Sequence, residues 1–185
     1  MVIAIDYDGT LADTNALKVR WIRERLGLEI APWLCSRTEC VPLIGRAYEE
    51  MGEEVYGRES TLAASPVPGA PEAIRTLALQ AELHVVTARP LRRLAFAREW
   101  LERQGLLTCF RGLHSTADTS KAAVCTLLGA GALIDDDVRH LQGVHLPGLR
   151  RILLQNGRRE APALEEDIRF CAGWPEVLVV LRIPV

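Results

Sequence analysis

Four short aliphatic runs, Val2–Ile5, Leu83–Val86, Ala132–Ile134 and Ile152–Leu154, limit most strongly what this chain can fold into. Each is bounded by polar residues or glycine, as expected of strands buried on both faces. Helical stretches alternate with them. Ala70–Leu79 precedes the second run, with Pro71 suited to a first helical turn. Arg92–Gln104 follows it and stops at Gly105, and Ser120–Leu128 leads into the third run with Asp118 or Thr119 as its cap and Gly129 as its stop. A last helix is expected over Glu176–Leu181, after Trp174-Pro175. This alternation predicts an α/β fold, a three-layer Rossmann-like parallel sheet covered by helices on both faces.

One region interrupts the pattern. Between the first run and Pro66-Val67-Pro68-Gly69 lie more than fifty residues with helical periodicity and no strand signal. Val19, Ile22 and Leu26 share one face of a helix capped near Asp13 or Thr14, and a second helix is expected over Arg46–Val55. A crossover helix is far shorter than this, so residues 14–65 read as a small helical cap insert and residues 1–13 with 66–185 as the α/β core.

Composition excludes several classes. With 49 % hydrophobic and 25 % charged residues in 185, the chain has the makings of one globular domain rather than a disordered segment. The net charge of −2 supplies no general attraction to nucleic acid or to anionic membranes. No apolar run approaches the roughly 20 residues of a membrane-spanning helix. The N-terminal run enters Asp6-Tyr7-Asp8 too early for a signal peptide, and five cysteines without a C-x-x-C pair read as thiols in a reducing cytoplasm rather than a zinc site.

In open parallel sheets, ligands bind beyond the carboxyl ends of the strands. Here those ends read Asp6-Tyr7-Asp8-Gly9-Thr10, Thr87-Ala88-Arg89 and Asp135-Asp136-Asp137. Asp6 and Asp8 are two apart and point the same way on an extended chain. Carboxylates gathered in this way repel, and a bound cation relieves the repulsion. Magnesium suits such a place because it takes carboxylate oxygens and keeps positions for water and phosphate. Either acidic cluster alone would be a solvated strand end; two at neighbouring strand ends favour a metal site. A calcium loop of the EF-hand type is excluded, because its sixth and twelfth positions counted from Asp6 hold Leu11 and Leu17. Of the 22 basic residues only Lys18 and Lys121 are lysines, and Lys121 stands just before the helix that leads to the Asp135 strand, suited to meet a phosphate oxygen as a point charge.

The segments Ile3-Ala4-Ile5-Asp6-Tyr7-Asp8-Gly9-Thr10, Val85-Val86-Thr87-Ala88-Arg89, Ser120-Lys121 and Leu133-Ile134-Asp135-Asp136-Asp137 resemble, in order and spacing, the four motifs of the haloacid dehalogenase-like (HAD) hydrolase superfamily. Val67-Pro68-Gly69 and Thr87-Ala88-Arg89-Pro90 are most similar to its 5′-nucleotidase and deoxyribonucleotidase branch. The resemblance implies Asp6 as nucleophile and Asp8 as general acid and base. It implies phosphate binding by Gly9, Thr87, Ala88 and Lys121. It implies Mg2+ held by Asp6, the Asp8 backbone carbonyl and Asp136, with Asp135 in support; a one-residue shift would exchange Asp136 and Asp137.

The expected activity is magnesium-dependent hydrolysis of a small phosphomonoester through an aspartyl-phosphate, with a nucleoside monophosphate as substrate and the helical insert setting selectivity. Alternatives are a sugar phosphate, a nucleic-acid end, or a binding module that lost turnover. The expected partner is a small phosphorylated metabolite, with neither a membrane nor a stable nucleic-acid partner. Asp13 reads as a helix cap, the arginines of 92–103 as a solvated face, and Arg89 as near enough to the crevice to touch substrate. The four histidines lack metal-ligand spacing, and Trp21, Trp33, Tyr48 and Tyr56 read as packing within the insert or as a surface on which a base could stack.

Overall fold

A computed structural model describes residues 1–183. Six strands, β1 (Val2–Ile5), β2 (Glu82–Thr87), β3 (Phe110–Ser115), β4 (Ala132–Asp135), β5 (Arg150–Leu154) and β6 (Ile168–Cys171), form one sheet in the order β3-β2-β1-β4-β5-β6. Every pairing is parallel, with Ile5 beside Val85 on one side and Ile134 on the other. The strand that carries Asp6 is therefore flanked by those that end in Thr87 and Asp135.

Helices cover both faces. Alternation along β1 sends Ile3 and Ile5 to the face packed by α5 (Ala70–Ala78), α6 (Leu91–Arg103) and α9 (Trp174–Leu181). Ala4 points to the opposite face, against Val124 and Cys125 of α7 (Lys121–Leu128) and Leu141 of α8 (Val138–Gln142). Among the described residues no helix is long and apolar enough to cross a membrane.

Between β1 and α5 the chain forms α1 (Thr14–Leu26), a 3₁₀ turn at Pro32–Leu34, α2 (Arg37–Ile44), α3 (Ala47–Val55) and α4 (Arg58–Ala63). Asp13 caps α1 by accepting from the Ala16 amide. Trp21, Ile22, Cys40, Met51 and Val55 give this helical segment a small core of its own. Trp21 is packing; Trp33 lies elsewhere, beneath the Arg158 guanidinium.

Sequence reading missed β3 and β6. Both are edge strands interrupted by polar residues, Phe-Arg-Gly-Leu-His-Ser and Ile-Arg-Phe-Cys, and an edge lacks the two-sided burial that gives central strands their continuous apolar runs. It also placed the α7 cap wrongly. Ser120, rather than Asp118 or Thr119, accepts from the Ala123 amide at 3.1 Å, leaving Lys121 as the first helical residue.

Two buried tryptophans fix the loop after β1. Trp174 Nε1 donates to the Thr10 carbonyl at 3.1 Å. Trp100 Nε1 donates to the Ala64 carbonyl at 2.8 Å, and its ring meets the buried Tyr7 ring edge-on at 5.4 Å. Tyr7 thus points into the core. By the strand alternation Asp6 and Asp8 face the other way, into the crevice.

Candidate active site

A crevice at the carboxyl ends of β1, β2 and β4 is lined by Asp6, Asp8, Thr87, Ala88, Arg89 and Asp136 on the sheet side and by Lys18, Ser36, Arg37, Tyr48 and Tyr56 on the helical side, around a cavity of about 250 Å³.

Lys121 sits at its base with 5 % exposure. Its Nζ donates to Asp6 Oδ1 at 2.6 Å and to Asp135 Oδ2. Asp135 is fully enclosed; its Oδ1 accepts from the Asp137 amide at 3.0 Å and lies 3.2 Å from His140 Nδ1. Burial alone would raise the Asp135 pKa, but Lys121 and His140 hold it well below the usual carboxylate range.

Asp6 behaves in the opposite way. Burial raises it from 3.8 to about 7; Lys121 opposes the rise, while Asp135 and Asp8 add to it. Asp136 is likewise pushed well up by burial and by its two acidic neighbours. One oxygen from each of Asp6, Asp135 and Asp136 lies within 4.8 Å of the others. A buried acid, Asp6, and a half-buried one, Asp136, both held toward their protonated forms among hard oxygen donors, suit a hard dication, so the donor chemistry fits magnesium.

The three consecutive aspartates take three directions. Asp135 turns to Lys121, Asp136 into the crevice, and Asp137 onto its own helix, where Oδ1 accepts from the Arg139 amide at 3.0 Å and the carboxylate meets the Arg139 guanidinium. Asp136 is held by Asn15 of α1, whose Nδ2 donates to its Oδ2 at 2.6 Å, and its backbone carbonyl accepts from Gln155 Nε2 at 3.1 Å. Gly9 makes that position available. Its φ is +75°, and a Cβ there would overlap the Asp136 carboxylate and the Asn15 amide.

Asp8 lies apart from the acidic cluster. Both its oxygens accept from Arg89, Oδ2 from Nε and Oδ1 from Nη2, each at 2.8 Å. The Arg89 Nη1 donates to Thr61 of α4 at 2.8 Å. Burial would raise the Asp8 pKa, yet the Arg89 charge and its hydrogen bonds bring it below 3.8. Thr87 closes the β2 end at 1 % exposure, with its Oγ1 accepting from the Arg89 amide at 3.3 Å.

Sequence reading singled out Arg89 only as a residue near substrate and gave Lys18, Asn15 and His140 no part. Lysine scarcity was the signal for Lys18: both lysines of the chain are buried against this crevice, at 6 % and 5 % exposure. Asn15, Arg89 and His140 carried no comparable signal, because a polar residue near a helix start reads equally well as solvated.

No known family profile matches this chain, and no curated protein matches it in sequence. Solved structures do. A haloacid dehalogenase-like hydrolase from Streptococcus pneumoniae superposes with a TM-score of 0.65 at 14 % identity, covering 97 % of both chains. The HAD-hydrolase YfnB of Bacillus subtilis, whose structure holds magnesium, gives 0.63 at 17 % identity over 98 % of each chain. L-2-haloacid dehalogenase from Xanthobacter autotrophicus gives 0.60 at 13 % over 98 % of each. The architecture is therefore the HAD-like α/β fold.

Proposed function

We propose that this HAD-like chain is a magnesium-dependent phosphatase in which Asp6 attacks the phosphorus of a small phosphomonoester. The fold hosts dehalogenation as well as other hydrolysis, so the choice rests on the site. One observation carries it: a second carboxylate, Asp8, stands two residues beyond Asp6 in the crevice, gripped by Arg89 next to the Lys121–Asp6 pair. Displacing halide needs no proton donor at that point, whereas an alkoxide leaving group does.

The residues divide the work. Asp6 forms an oxygen–phosphorus bond as the ester oxygen–phosphorus bond breaks, and the departing oxygen takes a proton from Asp8. Asp8 then removes a proton from the water that attacks the aspartyl-phosphate, releasing phosphate and restoring Asp6. In the resting site Arg89 keeps Asp8 ionised. An entering phosphate dianion competes for that guanidinium and raises the Asp8 pKa, loading the acid when substrate is bound. Lys121, Thr87 and the Gly9 and Ala88 backbone would receive the phosphoryl oxygens. Asp6, Asp136 and the Asp8 carbonyl would hold magnesium, with Asp135 in support; the ion would favour the carboxylate form of Asp6 and offset phosphoryl charge.

A nucleoside monophosphate is the second, narrower reading, favoured by Tyr48 and Tyr56 in the cavity wall. Tyr56 has Lys18, Arg89 and Arg93 within 6 Å of its ring centre, whereas half-buried Tyr48 has Arg37 on its ring at 5.4 Å, so Tyr48 is the less crowded of the two for a base. Hydrolysis of 4-nitrophenyl phosphate with and without magnesium tests the first reading. Absence of magnesium-dependent phosphate release from a folded preparation overturns it. A comparison of nucleotides with hexose phosphates tests the second.

A further inference from the structure

Of the five lysine and arginine side chains that line this crevice, four have carboxylate partners within the protein. Arg37 pairs with Glu49 at 2.8 Å, Arg89 with Asp8 at 2.8 Å, Arg93 with Glu53 at 2.6 Å, and Arg139 with Asp137. Lys18 is the exception. It is 94 % buried by its 6 % exposure, yet its Nζ donates only to neutral acceptors, Asn15 Oδ1 at 3.2 Å and the Cys35 carbonyl at 3.3 Å. An ammonium has three N–H donors; the third is turned to the neutral Tyr56 side chain, so among the described residues none of the three meets a carboxylate. A buried cation with no anion hydrogen-bonded to it is costly, and a molecule that supplies the anion recovers part of that cost on binding.

The surroundings keep Lys18 charged. Burial lowers its pKa, but the hydroxyl oxygens of the neutral Tyr56 and Tyr48, with the Asp136 carboxyl group, raise it well above the ordinary lysine value. Burial meanwhile pushes the Tyr48 hydroxyl up to about 12 and raises that of Tyr56, so both remain protonated donors beside the ammonium. Lys18 belongs to α1, across the cavity from Asp6, Asp8 and Thr87 on the strand ends. The phosphoryl group belongs to the strand side; Lys18 faces whatever that group is attached to.

Building on the phosphatase reading, we propose that Lys18, with the Tyr48 and Tyr56 hydroxyls, is a receptor for a second anionic group, a carboxylate or a second phosphate, on the leaving-group side of the substrate. The cavity, at about 250 Å³, is below the usual range for drug-sized ligands and suits a compact ester that carries a second anionic group besides its phosphate dianion. A rival account makes Lys18 a purely structural counter-charge, acting on Asp136 through Asn15. That account predicts no preference for a charged leaving group.

Three esters built on the same two-carbon skeleton separate the two: ethyl phosphate, carboxymethyl phosphate and ethylene glycol bisphosphate. With magnesium, the wild-type protein should favour the carboxylate or the bisphosphate by about 10- to 100-fold in kcat/KM, mostly through KM. Which of the two wins identifies the second anion. Lys18→Met should bring the preference to within about threefold, whereas Lys18→Arg should retain part of it. Equal kcat/KM for all three esters in the wild-type protein overturns the proposal, as does a preference that survives Lys18→Met in a folded variant. If no ester turns over, the phosphatase reading falls. Calorimetric binding of the three esters to the Asp6→Asn variant then decides the receptor separately: equal dissociation constants reject it, and a 10- to 100-fold order sustains it.

Discussion

Arg89 holds Asp8 through both carboxylate oxygens at 2.8 Å, joining the end of β2 to the end of β1, and its third arm reaches Thr61 of α4. The guanidinium also stands 4.8 Å from the Tyr7 ring centre and 5.3 Å from that of Tyr56. One side chain thus ties two strand ends, the core and the helical insert together. Removing it strands a largely buried carboxylate. Arg89→Gln should lose about 3 kcal/mol of stability in urea unfolding, and the double variant Asp8→Asn/Arg89→Gln should recover more than half of it. Additive losses would show that the pair is not coupled.

The proposed nucleophile, Asp6, offers the sharpest test of the chemistry. Asp6→Asn is nearly isosteric and keeps the acceptor for Lys121, so the fold should persist while kcat falls by about 10³-fold or more. Asp8→Asn should be similarly slow, and mass spectrometry of the quenched reaction should find phosphate on Asp6 where water activation is the step lost. Phosphate on any other residue would contradict the assignment.

Stability should depend on pH and magnesium together. The folded state raises the Asp6 pKa from 3.8 to about 7 and the Asp136 pKa well upward. A group raised in this way contributes stability that is complete below its unfolded pKa and is lost as pH rises through its folded pKa. The metal-free protein should therefore weaken between about pH 5 and pH 8, and magnesium, on the proposal that it binds the ionised forms, should reverse the loss. The magnesium-induced rise in Tm should exceed about 4 °C near pH 8 and nearly vanish near pH 5. A rise independent of pH would place the ion away from these two aspartates.

Gly9→Ala probes the approach of the β1 loop to Asp136. A methyl group at φ +75° is strained by about 1 kcal/mol, and it would also drive the Asp136 carboxylate from Asn15. The apparent magnesium affinity, read from the dependence of Tm on magnesium, should fall about tenfold or more, with a drop in kcat/KM to match. Wild-type magnesium affinity would mean that the position of Asp136 does not matter to the ion.

The residues by themselves determined the central strands and the acids at their ends. Two-sided burial writes a continuous apolar run, and strand alternation makes Asp6 and Asp8 share a side while Tyr7 points to the core. The edge strands β3 and β6 were not legible, because half-solvated edges mix polar with apolar residues. Tertiary structure decided the directions taken within Asp135–Asp137: an unbroken acidic run has no internal mark, and only the positions of Lys121, Asn15 and Arg139 separate the three. It also decided the partner of Asp8 and the burial of Lys18. The Arg89–Asp8 contact spans 81 positions and the Asn15–Asp136 contact spans 121. Local propensity fixes which face a side chain takes on its own element, whereas contacts across such distances exist only once the sheet has brought its strand ends together.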